Sequence, residues 1–173
     1  FYKHLDTDSG HLLDLGCGAG EPLGRFFIDK GWSVTGIDFS EQMLELATKY
    51  VPEMKTIHSD IRKISFDKEQ FSAITACYSL FHIPVSDHLP IFHNLNSWLK
   101  PGGKALFTYA TEAYTGSKEF SGYKEFMNQQ LFYSHKTVED LLLDIQKTGL
   151  IIDSKDHHTV GGETFLWLTV SKQ

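Results

Sequence analysis

The sequence predicts an α/β fold, a doubly wound and mostly parallel sheet. Three observations carry that reading. Short apolar runs alternate with amphipathic helical segments five times, which is the pattern of parallel strands joined by helical crossovers. The first run closes on Gly16-Cys17-Gly18-Ala19-Gly20, a turn that passes a strand straight into a helix. The last two runs are joined by about ten residues including Gly161-Gly162. That is too short for a crossover, so this final pair is expected to be antiparallel.

The elements follow in order. Leu12 to Leu15 is a short apolar run and reads as a buried strand. Pro22 suits the first turn of a helix, Leu23, Phe26 and Phe27 give that helix a face, and Gly31 ends it. Ser33 to Ile37 is the second strand. Ser40 is an N-cap, and Met43, Leu44, Leu46, Ala47 and Tyr50 form the apolar stripe of the next helix, which Pro52 stops. Met54 to His58 is the third strand. Phe71 to Tyr78 is nearly continuous in β-forming residues, as a central strand covered on both faces should be. Ser86 is read as the cap of a helix carrying Leu89, Phe92, Leu95 and Leu99. Lys100-Pro101-Gly102-Gly103 reads as a turn, and Lys104 to Ala110 as the fifth strand. Thr137 begins a capping box, with Val138, Leu141, Leu142 and Ile145 at helical spacing and Gly149 at the end. Leu150 to Asp153 and Thr164 to Val170 are the last two strands. Residues 112–135 are polar and aromatic with weak periodicity. Phe120, Tyr123, Phe126 and Met127 fit one packed helix, and the same aromatics fit the lining of a substrate pocket.

Composition narrows the function. A chain of 173 residues with 41% hydrophobic and 22% charged residues is globular and forms a core without staples. Lys and Arg number 16 against 22 Asp and Glu, a net charge of −6. This argues against nucleic acid as the main partner, because phosphate binding is carried by clustered cations. The two cysteines, Cys17 and Cys77, are too few for a disulfide framework and suit a reducing cytoplasm. No apolar run approaches the ~18 residues of a membrane span, and no signal-peptide pattern is visible. The chain opens on Phe1 rather than Met, so a preceding segment is expected. Monomer and dimer are both left open.

The chemistry is expected just beyond the carboxyl ends of the strands, where doubly wound folds bind ligands. The first strand leads into Asp14 and the glycine turn, whose backbone allows close approach of a ligand. The second leads to Asp38, 24 residues after Asp14, where a carboxylate can accept from both hydroxyls of a ribose. The third leads to Asp60, which can accept from an adenine amino group. A nicotinamide fingerprint needs a third glycine where this chain has Glu21. A carboxylate there repels a pyrophosphate, so the loop prefers a ligand without phosphate.

With these residues in place the chain resembles the class I S-adenosylmethionine-dependent methyltransferases. The resemblance rests on LLDLGCGAGEP (Leu12–Pro22), VTGIDFSEQML (Val34–Leu44), HSDIRKISF (His58–Phe66), FSAITACYSLFHIP (Phe71–Pro84) and LNSWLKPGGKALFT (Leu95–Thr108), in the family's order. It implies a Rossmann-like, seven-stranded sheet of order 3-2-1-4-5-7-6 with strand 7 antiparallel. Residues 1–173 would then be one methyltransferase domain with a substrate-side insertion at 112–135. The cofactor implied is S-adenosylmethionine, giving S-adenosylhomocysteine. Asp14, Gly16 and Gly18 would hold its methionine part, with backbone contacts from Cys17. Asp38 would bind the ribose, and Phe39 and Met43 would flank the adenine. Asp60 and Ile61 would close over the adenine, and Cys77 and Tyr78 would lie along the cofactor. In many relatives a helical segment before the first strand covers the cofactor. Only 11 residues precede Leu12 here, so either that segment lies outside this chain or the protein lacks it, and none of its residues can be assigned.

Methyl transfer from a sulfonium asks mainly for placement of the acceptor, with a base only where the acceptor must lose a proton. His82 and His135 are the candidate bases, with Tyr78 beside them. Each histidine has a plainer reading, His82 at the start of a helix and His135 just before the Thr137 cap. No metal is assigned, because the histidines show no ligand spacing. After the fourth strand stand Cys77-Tyr78-Ser79-Leu80, not the Asn/Asp-Pro-Pro-aromatic block of nucleobase amino-methyltransferases. A small-molecule acceptor is therefore the leading expectation, ahead of a protein side chain and then a lipid or quinone precursor. A cofactor-binding regulatory or partner subunit without turnover is the alternative of a different class.

Overall fold

The computed structural model describes residues 1–173. Strands β1 (His11–Leu15), β2 (Ser33–Asp38), β3 (Lys55–His58), β4 (Phe71–Ala76), β5 (Leu99–Tyr109), β8 (Ile151–Val160) and β9 (Glu163–Ser171) form one sheet. Its order is β3-β2-β1-β4-β5-β9-β8. A separate hairpin, β6 (Phe120–Phe126) with β7 (Gln129–His135), lies outside that sheet and shifts the numbering of the last pair. The expected order 3-2-1-4-5-7-6 is therefore the observed one. Strands β1 to β5 are parallel to one another. β9 runs antiparallel to both β5 and β8, as the short final connection required. This is a Rossmann-like α/β sheet.

Neighbouring residues of the central strands point to opposite faces, and both faces are buried. Leu12 and Ala73 face α1 (Leu23–Asp29) and α2 (Glu41–Tyr50), in a core with Phe27, Trp32, Leu44 and Ala47. Leu13 and Ile74 face the other way, into a larger core shared with Phe92 and Leu95 of α3 (His88–Trp98) and Ile145 of α5 (Val138–Lys147). Helices on both faces make the sheet doubly wound.

Several local expectations are met. Ser40 Oγ accepts from Met43 N at 3.3 Å, and Thr137 Oγ1 accepts from Asp140 N at 3.1 Å. Each satisfies a backbone donor that the first helical turn leaves free. Others are corrected. Asp87, not Ser86, precedes α3, and its side chain makes no capping bond. The Lys100–Gly103 segment is not a separate turn. β5 begins at Leu99 and runs through it, with a register irregularity opposite Phe71 to Ala73. On α1 the buried residues are Gly24 and Phe27, while Phe26 is exposed.

The largest correction concerns residues 112–135. After a single helical turn, α4 (Glu112–Thr115), they form the β6–β7 hairpin and not a packed helix. Met127 and Asn128 both take positive φ, 50° and 61°, as a two-residue type I′ turn requires. Burial then alternates along β6 with the period of a strand. The hairpin docks through Tyr133, which stacks on Phe81 at 5.6 Å between centroids. No helix is long and apolar enough to cross a membrane.

Candidate active site

Two cavities open at the carboxyl end of the parallel strands. The first, of about 350 Å³, is lined by Asp38 and Phe39 after β2, Ser59 to Arg62 after β3, and Tyr78, Ser79 and His82 to Pro84 after β4. The second, of about 270 Å³, is lined by Asp14, Cys17, Gly18, Glu21, Pro22, Leu23, Cys77 and Trp167. Gly16 and Tyr78 line both, so the two cavities meet at these residues. Tyr78 has φ of 56°, a left-handed conformation that is uncommon without glycine. Its amide donates to Thr108 Oγ1 at 2.6 Å, and its ring meets Phe165 and Trp167 edge-on.

The glycine turn is shaped by close packing. A Cβ on Gly16 would lie 2.4 Å from Ser79 Cβ, so the β1 and β4 loops touch only because that position is glycine. Ser79 Oγ in turn donates to the Leu15 carbonyl at 2.7 Å. Gly18 differs. Its φ is +52°, and a Cβ there would meet nothing within 4 Å. The backbone at Gly18 therefore borders space that protein atoms do not fill, on the wall of the second cavity.

The acidic residues have distinct surroundings. Asp14 is 3% exposed and accepts from Thr75 Oγ1 at 2.7 Å. Burial pushes its carboxyl up to about 6, with the Thr75 bond opposing and the nearby Asp38 adding to the rise. Asp38 accepts from Gly18 N at 2.9 Å through one oxygen and from Ser40 N at 2.9 Å through the other. Two backbone donors on a carboxylate with about four lone-pair sites leave roughly two free. Asp60 is held by Arg62, whose Nε lies 3.0 Å from both carboxylate oxygens and whose Nη2 lies 2.6 Å from one. That guanidinium keeps the Asp60 carboxyl below the usual range. The Cys17 thiol is pushed up to about 12 by burial and by Asp14, and burial raises Cys77 as well. Neither thiol is activated.

His82 and His135 have different fates. His82 Nδ1 lies 2.8 Å from the Phe132 carbonyl of β7. A carbonyl only accepts, so Nδ1 carries the proton and the Nε2 lone pair is left available. Burial holds His82 below its usual value, hence neutral near pH 7. His135 lines neither cavity. It is 1% exposed, its Nδ1 donates to the Lys136 carbonyl at 3.0 Å, and its Nε2 pairs with the Thr115 hydroxyl at 2.7 Å. Both ring nitrogens are thus engaged within the protein, and His135 lines a separate cavity of about 580 Å³ with Glu119, Phe120 and Lys136.

Of the residues expected from sequence, Asp14, Gly16, Cys17, Gly18, Asp38, Phe39, Asp60, Ile61, Cys77, Tyr78 and His82 line the two cavities. Met43 does not. It is exposed on α2, which buries Leu44 and Ala47. Sequence reasoning missed Ser59, Arg62, Ser79 and Trp167. It also missed a buried relay behind the first cavity. Tyr109 OH lies 3.0 Å from His88 Nδ1, and His88 Nε2 donates to the Ile83 carbonyl at 2.8 Å. Lys136 N donates to the same Tyr109 oxygen at 3.1 Å.

The family described as a methyltransferase domain matches residues 12–103, more than half of the chain. A demethylmenaquinone methyltransferase of Staphylococcus aureus is 36% identical over 100 residues, 54% of this chain and 40% of that one. A ubiquinone biosynthesis O-methyltransferase of Coxiella burnetii is 32% identical over 110 residues, 61% of this chain and 46% of that one. The matched region is thus less than half the length of these curated relatives. Among solved structures, an S-adenosylmethionine-dependent methyltransferase from Mesorhizobium loti superposes with a TM-score of 0.79 at 19% identity. The match covers 94% of this chain and 91% of that one, and it shows a common fold.

Proposed function

The chain belongs to the class I S-adenosylmethionine-dependent methyltransferase family, and on that premise we propose that it transfers a methyl group to a small-molecule acceptor. One observation carries the reading. Two cavities meet at Gly16 and Tyr78, one bordered by Asp38 and Asp60, the other by Asp14 and Glu21. The first suits a ribose and an adenine, which offer hydroxyl and amino donors. The second suits a cationic ligand without phosphate, since two carboxylates repel phosphate and attract an ammonium or sulfonium.

When bound, S-adenosylmethionine supplies a methyl group on a positively charged sulfonium. In this reading Asp38 accepts from the ribose hydroxyls through its two remaining lone-pair sites. Phe39, 78% exposed, offers a face to the adenine, and His58 holds its carbonyl at 2.8 Å. Asp60 and Ile61 close the far end. Gly18 leaves room for the methionine part, and Asp14 and Glu21 attract its ammonium. Tyr78, between the cavities, positions the reacting groups, because methyl transfer needs nucleophile and carbon ~3–3.5 Å apart and in line. His82 accepts the acceptor's proton at Nε2, and the Phe132 carbonyl fixes that tautomer.

The insertion at 112–135 would shape the acceptor side of one domain spanning residues 1–173, working as monomer or dimer in the cytoplasm. The curated relatives named for demethylmenaquinone and ubiquinone biosynthesis support a non-protein acceptor and raise the quinone-precursor class above the third place given to it from sequence. The test is a screen of a metabolite panel and a peptide panel, following S-adenosylhomocysteine release. Turnover with a metabolite is expected. Turnover with peptides alone would replace the acceptor class, and binding without turnover on either panel would favour a partner subunit.

A further inference from the structure

Arg62 lies between the adenine end of the first cavity and α3. It donates to Asp60 from its backbone N at 2.9 Å, from Nε at 3.0 Å to both oxygens, and from Nη2 at 2.6 Å. Its other terminal nitrogen reaches Asp87 Oδ2 at 3.4 Å, just before α3. Both Asp60 and Arg62 line the cavity.

We propose that Arg62 is a positioning residue that fixes the Asp60 carboxylate as an acceptor and thereby makes the site select a 6-amino purine over a 6-oxo purine. The proposal rests on the cofactor reading above and adds to it the residue that sets base specificity. Three N–H donors make four contacts with the carboxylate, two on each oxygen, with Nε bridging the pair. The oxygens are thereby held in one orientation at the cavity wall. The planar fork also stops the carboxylate from rotating, and the Asp87 contact ties the fork to the next helix. An ionised carboxylate donates nothing, so a purine with an oxygen at position 6 meets an acceptor facing an acceptor.

A purely structural role predicts something else. The pair is partly exposed, with side-chain exposures of 42% for Arg62 and 25% for Asp60. Such ion pairs add little to stability, so removing Arg62 should leave the fold intact. The test titrates wild type, R62A and R62Q with S-adenosylhomocysteine and with S-inosylhomocysteine, its 6-oxo analogue, by calorimetry. Thermal melting of each variant accompanies it. Wild type is expected to prefer the amino ligand by about tenfold or more, as hydrogen bonds to charged groups allow. In R62A that preference should fall to within about threefold, with the melting temperature unchanged. R62Q keeps a donor without the charge, and it reads the same ratio should R62A fold poorly. An undiminished preference in a folded Arg62 variant overturns the proposal. A wild type that binds both ligands equally overturns it too, while leaving the cofactor reading standing. A wild type that binds neither overturns the cofactor reading and this proposal with it.

Discussion

The amide of Gly18 donates to the Asp38 carboxylate at 2.9 Å, tying the glycine turn after β1 to the end of β2. Asp38 thus holds the turn and, in the proposed cofactor reading, also accepts from a ribose. Asp38→Ala removes both. Affinity for S-adenosylhomocysteine should drop by roughly 10- to 100-fold, the scale of charge-assisted hydrogen bonds. Asp38→Asn keeps one acceptor oxygen and should lose less. Calorimetry checks both, and an unchanged affinity in Asp38→Ala would remove Asp38 from the ribose site.

Gly18 separates strain from ligand exclusion. At φ +52° a side chain costs ~1–2 kcal/mol in backbone strain. Because its Cβ would stand in open space, the protein can fold around it while the ligand cannot. Gly18→Val should therefore melt only a few degrees lower, yet show no saturable binding of S-adenosylhomocysteine. Near wild-type affinity would mean that the open space beside Gly18 is not the ligand's.

His82 makes a prediction in pH. A base works neutral, and burial holds His82 below the ordinary 6.5. With an acceptor that must lose a proton, turnover should stay level as pH falls through 6.5 and decline only at the lower pKa. His82→Ala should lower turnover by roughly 100-fold, within the usual range for a general base, with cofactor affinity little changed. Wild-type turnover in that variant would return His82 to a packing role against Tyr133.

Asp14 and the buried histidines pull stability in opposite directions. His11, His82, His88 and His135 all sit below 6.5 in the fold, chiefly through burial. The unfolded chain then takes up protons first as pH falls, so their contribution is complete above about 6.5 and is lost below it. Asp14 is raised from 3.8 to about 6, so the folded chain takes up that proton first. Its penalty is full above pH 6 and relieved towards 3.8. Asp14→Asn removes the penalty and should stabilise the protein at pH 8 by up to about 3 kcal/mol. The gain should shrink as pH approaches 4, while cofactor affinity falls. Denaturant titrations at several pH values measure this, and a gain independent of pH would contradict the burial argument.

The sheet was legible because its signals are local. Leu12–Leu15, the glycine turn, Ser40 and Thr137 each act within a few residues, and strand ends place Asp14, Asp38, Asp60 and Tyr78 without any tertiary information. The hairpin was not legible in the same way. Phe120, Tyr123 and Phe126 at intervals of three imitate a helix, and only Asn128 hinted at a left-handed turn. The pairing of His135 Nε2 with the Thr115 hydroxyl spans 20 residues, a contact that no local spacing shows. Arg62 and Ser79 were passed over because their roles arise from contacts with Asp60, Asp87, Gly16 and Leu15 across loops that no periodicity links.

The central claim is that the two cavities meeting at Gly16 and Tyr78 together hold one S-adenosyl ligand without phosphate. Calorimetric titration of the wild-type chain with S-adenosylhomocysteine, and separately with NAD, tests it most directly. Saturable one-to-one binding of S-adenosylhomocysteine with no heat from NAD is the predicted result. Binding of NAD without binding of S-adenosylhomocysteine would contradict it.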